Sequence, residues 1–107
     1  MRVELTEMIW LEQHEVSLGE LIAMSGLPRE VVEELLSTGA IAPLQSSGAE
    51  ERFGSAALNA ARRARRLRED FELDVHALPL ALALLERIGE LERELRALQA
   101  RSPGRLR

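Results

Sequence analysis

Two imidazoles, His14 and His76, are the side chains of this 107-residue sequence best suited by type to metal ligation or acid–base catalysis, and they stand far apart in it. With no Cys, disulfides, thiolate nucleophiles and most zinc sites are excluded, and two isolated His do not complete a metal site without distant help. Neither His lies beside a plausible nucleophile, and no glycine-rich phosphate loop is present. The sequence therefore predicts a non-catalytic protein without cofactor or metal, in which both His are surface or capping residues. What remains is charge. Glu30, Glu33 and Glu34 form one cluster, and Arg62, Arg63, Arg65 and Arg66 form another.

These clusters sit in halves of opposite sign. The net charge of −4 divides into a balance of −7 over residues 1–54 (3 Arg, 10 Glu) and +3 over residues 55–107 (11 Arg, 8 acids). All 14 basic residues are Arg, which fits a GC-rich coding sequence as well as a need for planar bidentate donors. Arg65 with Glu69, Arg66 with Asp70 and Arg68 with Glu72 are i,i+4 pairs, each adding about 0.2–0.5 kcal/mol to a helix. Arg62 and Arg63 lack such partners. Together with Arg66 they are candidates for a basic contact, either to phosphate or to acidic groups of the same or a partner chain. Joining a −7 half to a +3 half favours internal neutralisation.

The elements that must hold these clusters are helices. In residues 3–11 the early alternation suits a short strand with Trp10 as apolar anchor. Ser17 and Glu20 make a capping box, and Leu18, Leu21 and Ile22 recur at helical spacing, so a helix runs from Leu18 to about Met24. Gly26 supplies a tight turn, Pro28 opens a second helix at its first position, and that helix ends near Ser37 before Gly39. A polar stretch over 45–51 closing with Arg52 and Phe53 reads as a hairpin-like loop. Helix, turn, helix and loop spell a winged helix-turn-helix over residues 1–54. Ser55 is the expected N-cap of a third, scaffold helix that reaches Phe71. Its inner face is Ala57, Ala60, Ala61, Ala64, Leu67 and Phe71, and its outer face carries the Arg cluster.

A last helix begins near Asp74 or Pro79 and runs to about Ala100, with a flexible tail expected over 102–107. Ala77, Ala81, Leu84, Ile88, Leu91, Leu95 and Leu98 alternate at spacings of 4 and 3, an a/d heptad seam. Leu78, Leu80, Leu82 and Leu85 widen its first half, so that end packs on its own domain while Ile88 to Leu98 reach a second chain. A helix of about 20 residues with such a seam is rarely stable alone in water. The sequence thus predicts an antiparallel homodimer through the C-terminal helix of a helical scaffold and dimerisation half, residues 55–101, with Leu84, Ile88, Leu91, Leu95 and Leu98 at the interface. No apolar run approaches the roughly 18–20 residues of a membrane span, and Met1 opens no basic, apolar leader, so a soluble cytoplasmic protein is expected.

A helix-turn-helix suggests DNA, yet its second helix turns acid outward. Projection places Val31, Val32, Leu35 and Leu36 inside and Glu30, Glu33 and Glu34 outside, with Arg29 at the flank. Duplex DNA carries one negative charge per ~1.7 Å of axis, and readers surround base contacts with phosphate-binding cations that this half lacks. The acids form either a solvated face or a face for a basic protein, and DNA is disfavoured.

The segment Arg66-Leu67-Arg68-Glu69-Asp70, then Leu73-Asp74 and the Leu-rich run from Leu80 to Leu98, resembles the CbpM family of chaperone modulators, a MerR-like group. Ser17 to Pro28, Gly39-Ala40-Ile41 with Pro43, and Arg52-Phe53 are similar to that family's winged-helix half. Where some members place an aromatic residue and a Gly after the Asp, this sequence has Val75-His76-Ala77. The resemblance implies a mostly α, MerR-like winged helix-turn-helix followed by a scaffold helix and a long dimerisation helix. It further implies a dimer that binds the J domain of a CbpA-type, DnaJ-like co-chaperone and restrains its stimulation of DnaK. The alternative is a MerR-like DNA-binding transcriptional regulator.

Overall fold

The computed structural model describes residues 6, 9–11, 14–44 and 50–101. Among the described residues from 14 onward, four helices follow in order: α1 (Leu18–Ser25), α2 (Arg29–Ser37), α3 (Ser55–Phe71) and α4 (Leu78–Arg101). The α1 start is a complete capping box. The Ser17 N–H donates to Glu20 Oε1 at 2.8 Å, and the Glu20 N–H donates to Ser17 Oγ at 3.2 Å. Gly26 ends α1 in the left-handed region at φ 78°, where an L side chain is strained. Buried Ser25 joins the two helices: its hydroxyl donates to the Ile22 carbonyl at 3.0 Å and accepts the Leu27 N–H at 3.2 Å.

Pro28 stands one place before the helix that the sequence gives it. It is the N-cap of α2, and its carbonyl accepts the N–H groups of Val31 and Val32. Ser55 likewise is the first residue of α3 rather than its cap. Phe53 is fully buried and exchanges two 2.9 Å hydrogen bonds with Val16, so the chain is still extended at Gly54. Gly54 is the cap, and Leu44 lies so close that an added Cβ would sit 3.0 Å from its Cδ1. The wing is pinned by the Val16–Phe53 bridge and by the Leu44 N–H donating to the Arg52 carbonyl at 2.8 Å. Its expected tip, 45–49, lies outside the described residues, as does the expected tail, 102–107.

The expected strand over 3–11 is corrected. Thr6 and residues 9–11 are helical, the rest of that stretch lying outside the described residues. Trp10 is no anchor: it is 46% exposed and stacks on His14 with centroids 4.3 Å apart, while Leu11 takes the core position. The i,i+4 spacing of the two rings is helical, and the Trp10 carbonyl lies 2.8 Å from His14 Nδ1. A carbonyl only accepts, so Nδ1 carries the hydrogen.

The core gathers around α3. Ala57, Ala61 and Ala64 are buried beside Leu58, and their short side chains let α1 and α4 approach closely. Leu21, Val32, Leu35 and Leu78 fill the space around them. Phe71, assigned by periodicity to this inner face, is 67% exposed, because α3 runs past the core before Glu72 ends it at φ 52°. The molecule is elongated, 53 × 33 × 30 Å, with a radius of gyration of 16.3 Å. A compact chain of this length has about 13 Å. The excess comes from α4, about 36 Å long at 1.5 Å per residue, whose residues 91–101 are all exposed.

The α1 cap has a pH signature. The Ser17 backbone N–H foremost, then its hydroxyl, hold the Glu20 carboxyl below its usual range, with Arg52 adding attraction. A carboxylate whose native pKa is depressed stabilises fully above its unfolded value and loses that contribution as pH falls through the native one. Ser17→Ala is expected to cost about 1 kcal/mol at neutral pH. It should also shrink the loss of thermal stability on acidification below the ordinary carboxylate range, as measured by melting curves across a pH series.

Candidate functional site

The α2 helix is amphipathic, with Val31, Val32 and Leu35 buried, and this fixes where its acids lie. Glu30 and Glu33 are exposed. Arg29 and Glu33 approach only to 4.0 Å with both side chains more than half exposed, a pair of little energetic weight. Glu34 differs. Its side chain is 27% exposed and lies against the segment between α3 and α4, where His76 Nδ1–H donates to Glu34 Oε2 at 3.2 Å. The His76 backbone N–H in turn donates to Asp74 Oδ2 at 3.0 Å. The three acids that share a face in projection thus resolve into two that point outward and one tied across the fold.

The Arg cluster divides in the same way. Arg62 is half-buried and its Nη2 donates to the Met24 carbonyl at 3.2 Å, in the last turn of α1, where a cation also meets the negative end of the helix dipole. Arg65 bonds Glu69 at 3.0 Å and covers Gly26. Arg63 lines a groove of about 570 Å³ between α3 and α4, together with Ala60, Leu85 and Ile88. Arg66 is exposed. Glu72 has left the helical path, which removes it from the i,i+4 position opposite Arg68. Internal use of positive charge is therefore visible at Arg62 and Arg65, where the acceptors are a backbone carbonyl and a neighbour on the same helix.

On α4, Leu78 and Leu82 are the buried residues. The seam lies on the remaining surface: Leu84 is 55% exposed, Ile88 50%, Leu91 47%, Leu95 51% and Leu98 51%. Beside it Arg87 Nη1 reaches Glu90 at 3.1 Å and Glu94 at 3.8 Å. Among the described residues no three His, Asp or Glu gather as a metal site, and no helix is long and apolar enough to cross a membrane.

Sequence reasoning missed the Glu34–His76 and Arg62–Met24 contacts. Both join elements about forty positions apart in the chain, a distance over which helical periodicity carries no information. The nearest signal for the first is that His76 follows Asp74 in the turn leading into α4, where the Asp74 carboxylate accepts the His76 N–H.

The arrangement, a helix-turn-helix with a bridged wing, a scaffold helix and a long final helix, defines the class of regulatory proteins built on the MerR fold. Residues 16–100 match the family described as "MerR HTH family regulatory protein". Over 85 residues the chain is 33% identical to the chaperone modulatory protein CbpM of Salmonella paratyphi B, covering 79% of this chain and 84% of that one. The same values hold for the CbpM proteins of Salmonella newport and Salmonella gallinarum. The chain belongs to the CbpM family of chaperone modulatory proteins.

Proposed function

We propose that the protein is a non-catalytic cytoplasmic homodimer that binds the J domain of a DnaJ-like co-chaperone and restrains its stimulation of DnaK. The observation that carries this reading is the acid on α2. In a helix-turn-helix the second helix is the element that ordinarily meets a partner. Here its outward residues are Glu30 and Glu33, with Glu34 beside them. A J domain presents a basic helix to DnaK, so an acidic competitor surface is complementary to it and speeds encounter as well as holding the complex. The same charge repels a nucleic-acid backbone.

Family membership supports the chaperone-related part of this reading, and the exposed seam of α4 supports the dimer. Titration of the full chain with an isolated J domain from the same host should give saturable binding at micromolar concentration or tighter. The J domain's stimulation of DnaK ATP hydrolysis should fall in proportion to complex formed. Binding to a palindromic DNA duplex at moderate salt, without binding to any host J domain, would replace this reading with that of a transcriptional regulator.

A further inference from the structure

Glu34 opens onto a cleft of about 510 Å³ between α2 and the segment that joins α3 to α4. Glu30, Val31 and Glu34 line it from α2, Leu73, Asp74 and Val75 line it from the joining segment, and Arg68 of α3 completes the lining. Val31 is buried, and Leu73 and Val75 are half-buried against the core, so the apolar surface left in the lining is that of Leu73 and Val75. The lining thus holds three carboxylates and one guanidinium, and His76 bonds Glu34 beside it. Two positions before Leu73, Phe71 stands 67% exposed at the end of α3.

A long cationic side chain has an apolar stem and a charged head, which is the chemistry this cleft offers in complement. A polyanion meets the wrong sign here. A single large apolar side chain would cover three carboxylates, of which Glu34 and Asp74 each have one bond from His76, and would bring no cation to them. We infer that this cleft, rather than the outer surface of α2 alone, receives the partner. The occupant is a basic amphipathic helix that sets an Arg or Lys between Glu30, Glu34 and Asp74 and lays apolar residues on Leu73, Val75 and Phe71. The inference rests on the reading of this chain as a binder of a basic protein surface. It goes further by giving the contact a place and an apolar component.

The test is an amide-resonance titration of the isotope-labelled full chain with two probes. One is the isolated J domain and the other a synthetic helical peptide of alternating Arg and Leu faces. With both, the amides of Val31, Leu73, Val75 and His76 should shift. Glu34→Gln combined with Asp74→Asn, which keeps the oxygen that accepts the His76 N–H, should weaken both probes at least fivefold. Arg68→Glu should tighten them, and Glu51→Gln, an exposed acid outside the cleft, should leave them unchanged. Shifts confined to the outward side of α2, with the Glu34 and Asp74 variants binding like wild type, overturn the cleft while leaving the acidic-face reading intact. Cleft shifts with the peptide but no J-domain binding support the cleft and overturn the co-chaperone as its partner.

Discussion

Changing Glu30 and Glu33 together to Arg is expected to lower affinity for the J domain by at least tenfold, about 1.4 kcal/mol, while leaving the fold and the dimer unaltered. Both side chains are exposed, and the ion pair that Glu33 makes with Arg29 is a surface contact at 4.0 Å. Their removal therefore leaves no buried group unsatisfied. The cost falls on the complex, where two attractive contacts become repulsive, and like-charge juxtaposition across an interface costs several kcal/mol when poorly screened. Salt adds a second signature. Exposed charges are screened over about 8 Å at physiological ionic strength, so wild-type association should slow as NaCl is raised and association of the reversed variant should quicken. Calorimetric titration gives the affinity, stopped-flow mixing gives the rate, and circular dichroism with light scattering reports on fold and mass. Unchanged affinity in the double variant sinks the proposed surface.

The second large effect is expected at α4. Ile88→Asp with Leu95→Asp should convert a dimer into a monomer at micromolar concentration. Each seam residue is about half exposed in the single chain, and fully burying such a side chain contributes about 1.5–3 kcal/mol. Exchange for a carboxylate forfeits that gain and places an unpaired charge in an apolar contact, which raises the cost further. Helicity should fall with the mass, since residues 91–101 are exposed and keep few contacts once the partner is lost. A monomeric wild type in light scattering would falsify the dimer. Because the sequence contains no Cys, single thiols report direction without background. In an antiparallel pair Leu91→Cys, at mid-seam, should cross-link to its counterpart, whereas Leu84→Cys and Leu98→Cys should not. Cross-linking at all three positions would mean a parallel pair.

Much of the helical frame was legible because its signals are local. The Ser17–Glu20 box, Gly26 and the spacing of Val31, Val32 and Leu35 each act within a turn or two, and each stands where the periodicity puts it. Errors arose where tertiary pairing outweighs local preference. Ser55 is a good cap by type, yet the Val16–Phe53 pairing carries extended backbone one residue further and leaves Gly54 in that role. Trp10 is large and apolar, yet the smaller Leu11 points inward on a helical segment. Phe71 keeps the phase of the Ala stripe but outruns the core it would have packed on.

The charge clusters were legible as clusters and not as contacts. Projection separates the inner from the outer face of α2, but Glu34 sits at the boundary, where only the position of the α3–α4 segment decides whether it meets water or His76. Arg62 shows the same limit from the other side. Its type and spacing suggest an outward cation, and a carbonyl at the end of a neighbouring helix claims it instead.

The length of α4 bears on stoichiometry. A paired α4, helical over 24 residues, is a stiff ruler that would hold two acidic faces at one fixed separation rather than on a flexible tether. A partner that itself carries two basic modules would then meet either a matched pair of sites or a mismatched one. With matched spacing the second contact becomes intramolecular and avidity rises by orders of magnitude without any new interaction, and with mismatched spacing that gain is lost entirely. Lengthening α4 by a heptad would alter avidity while leaving each acidic face chemically unchanged.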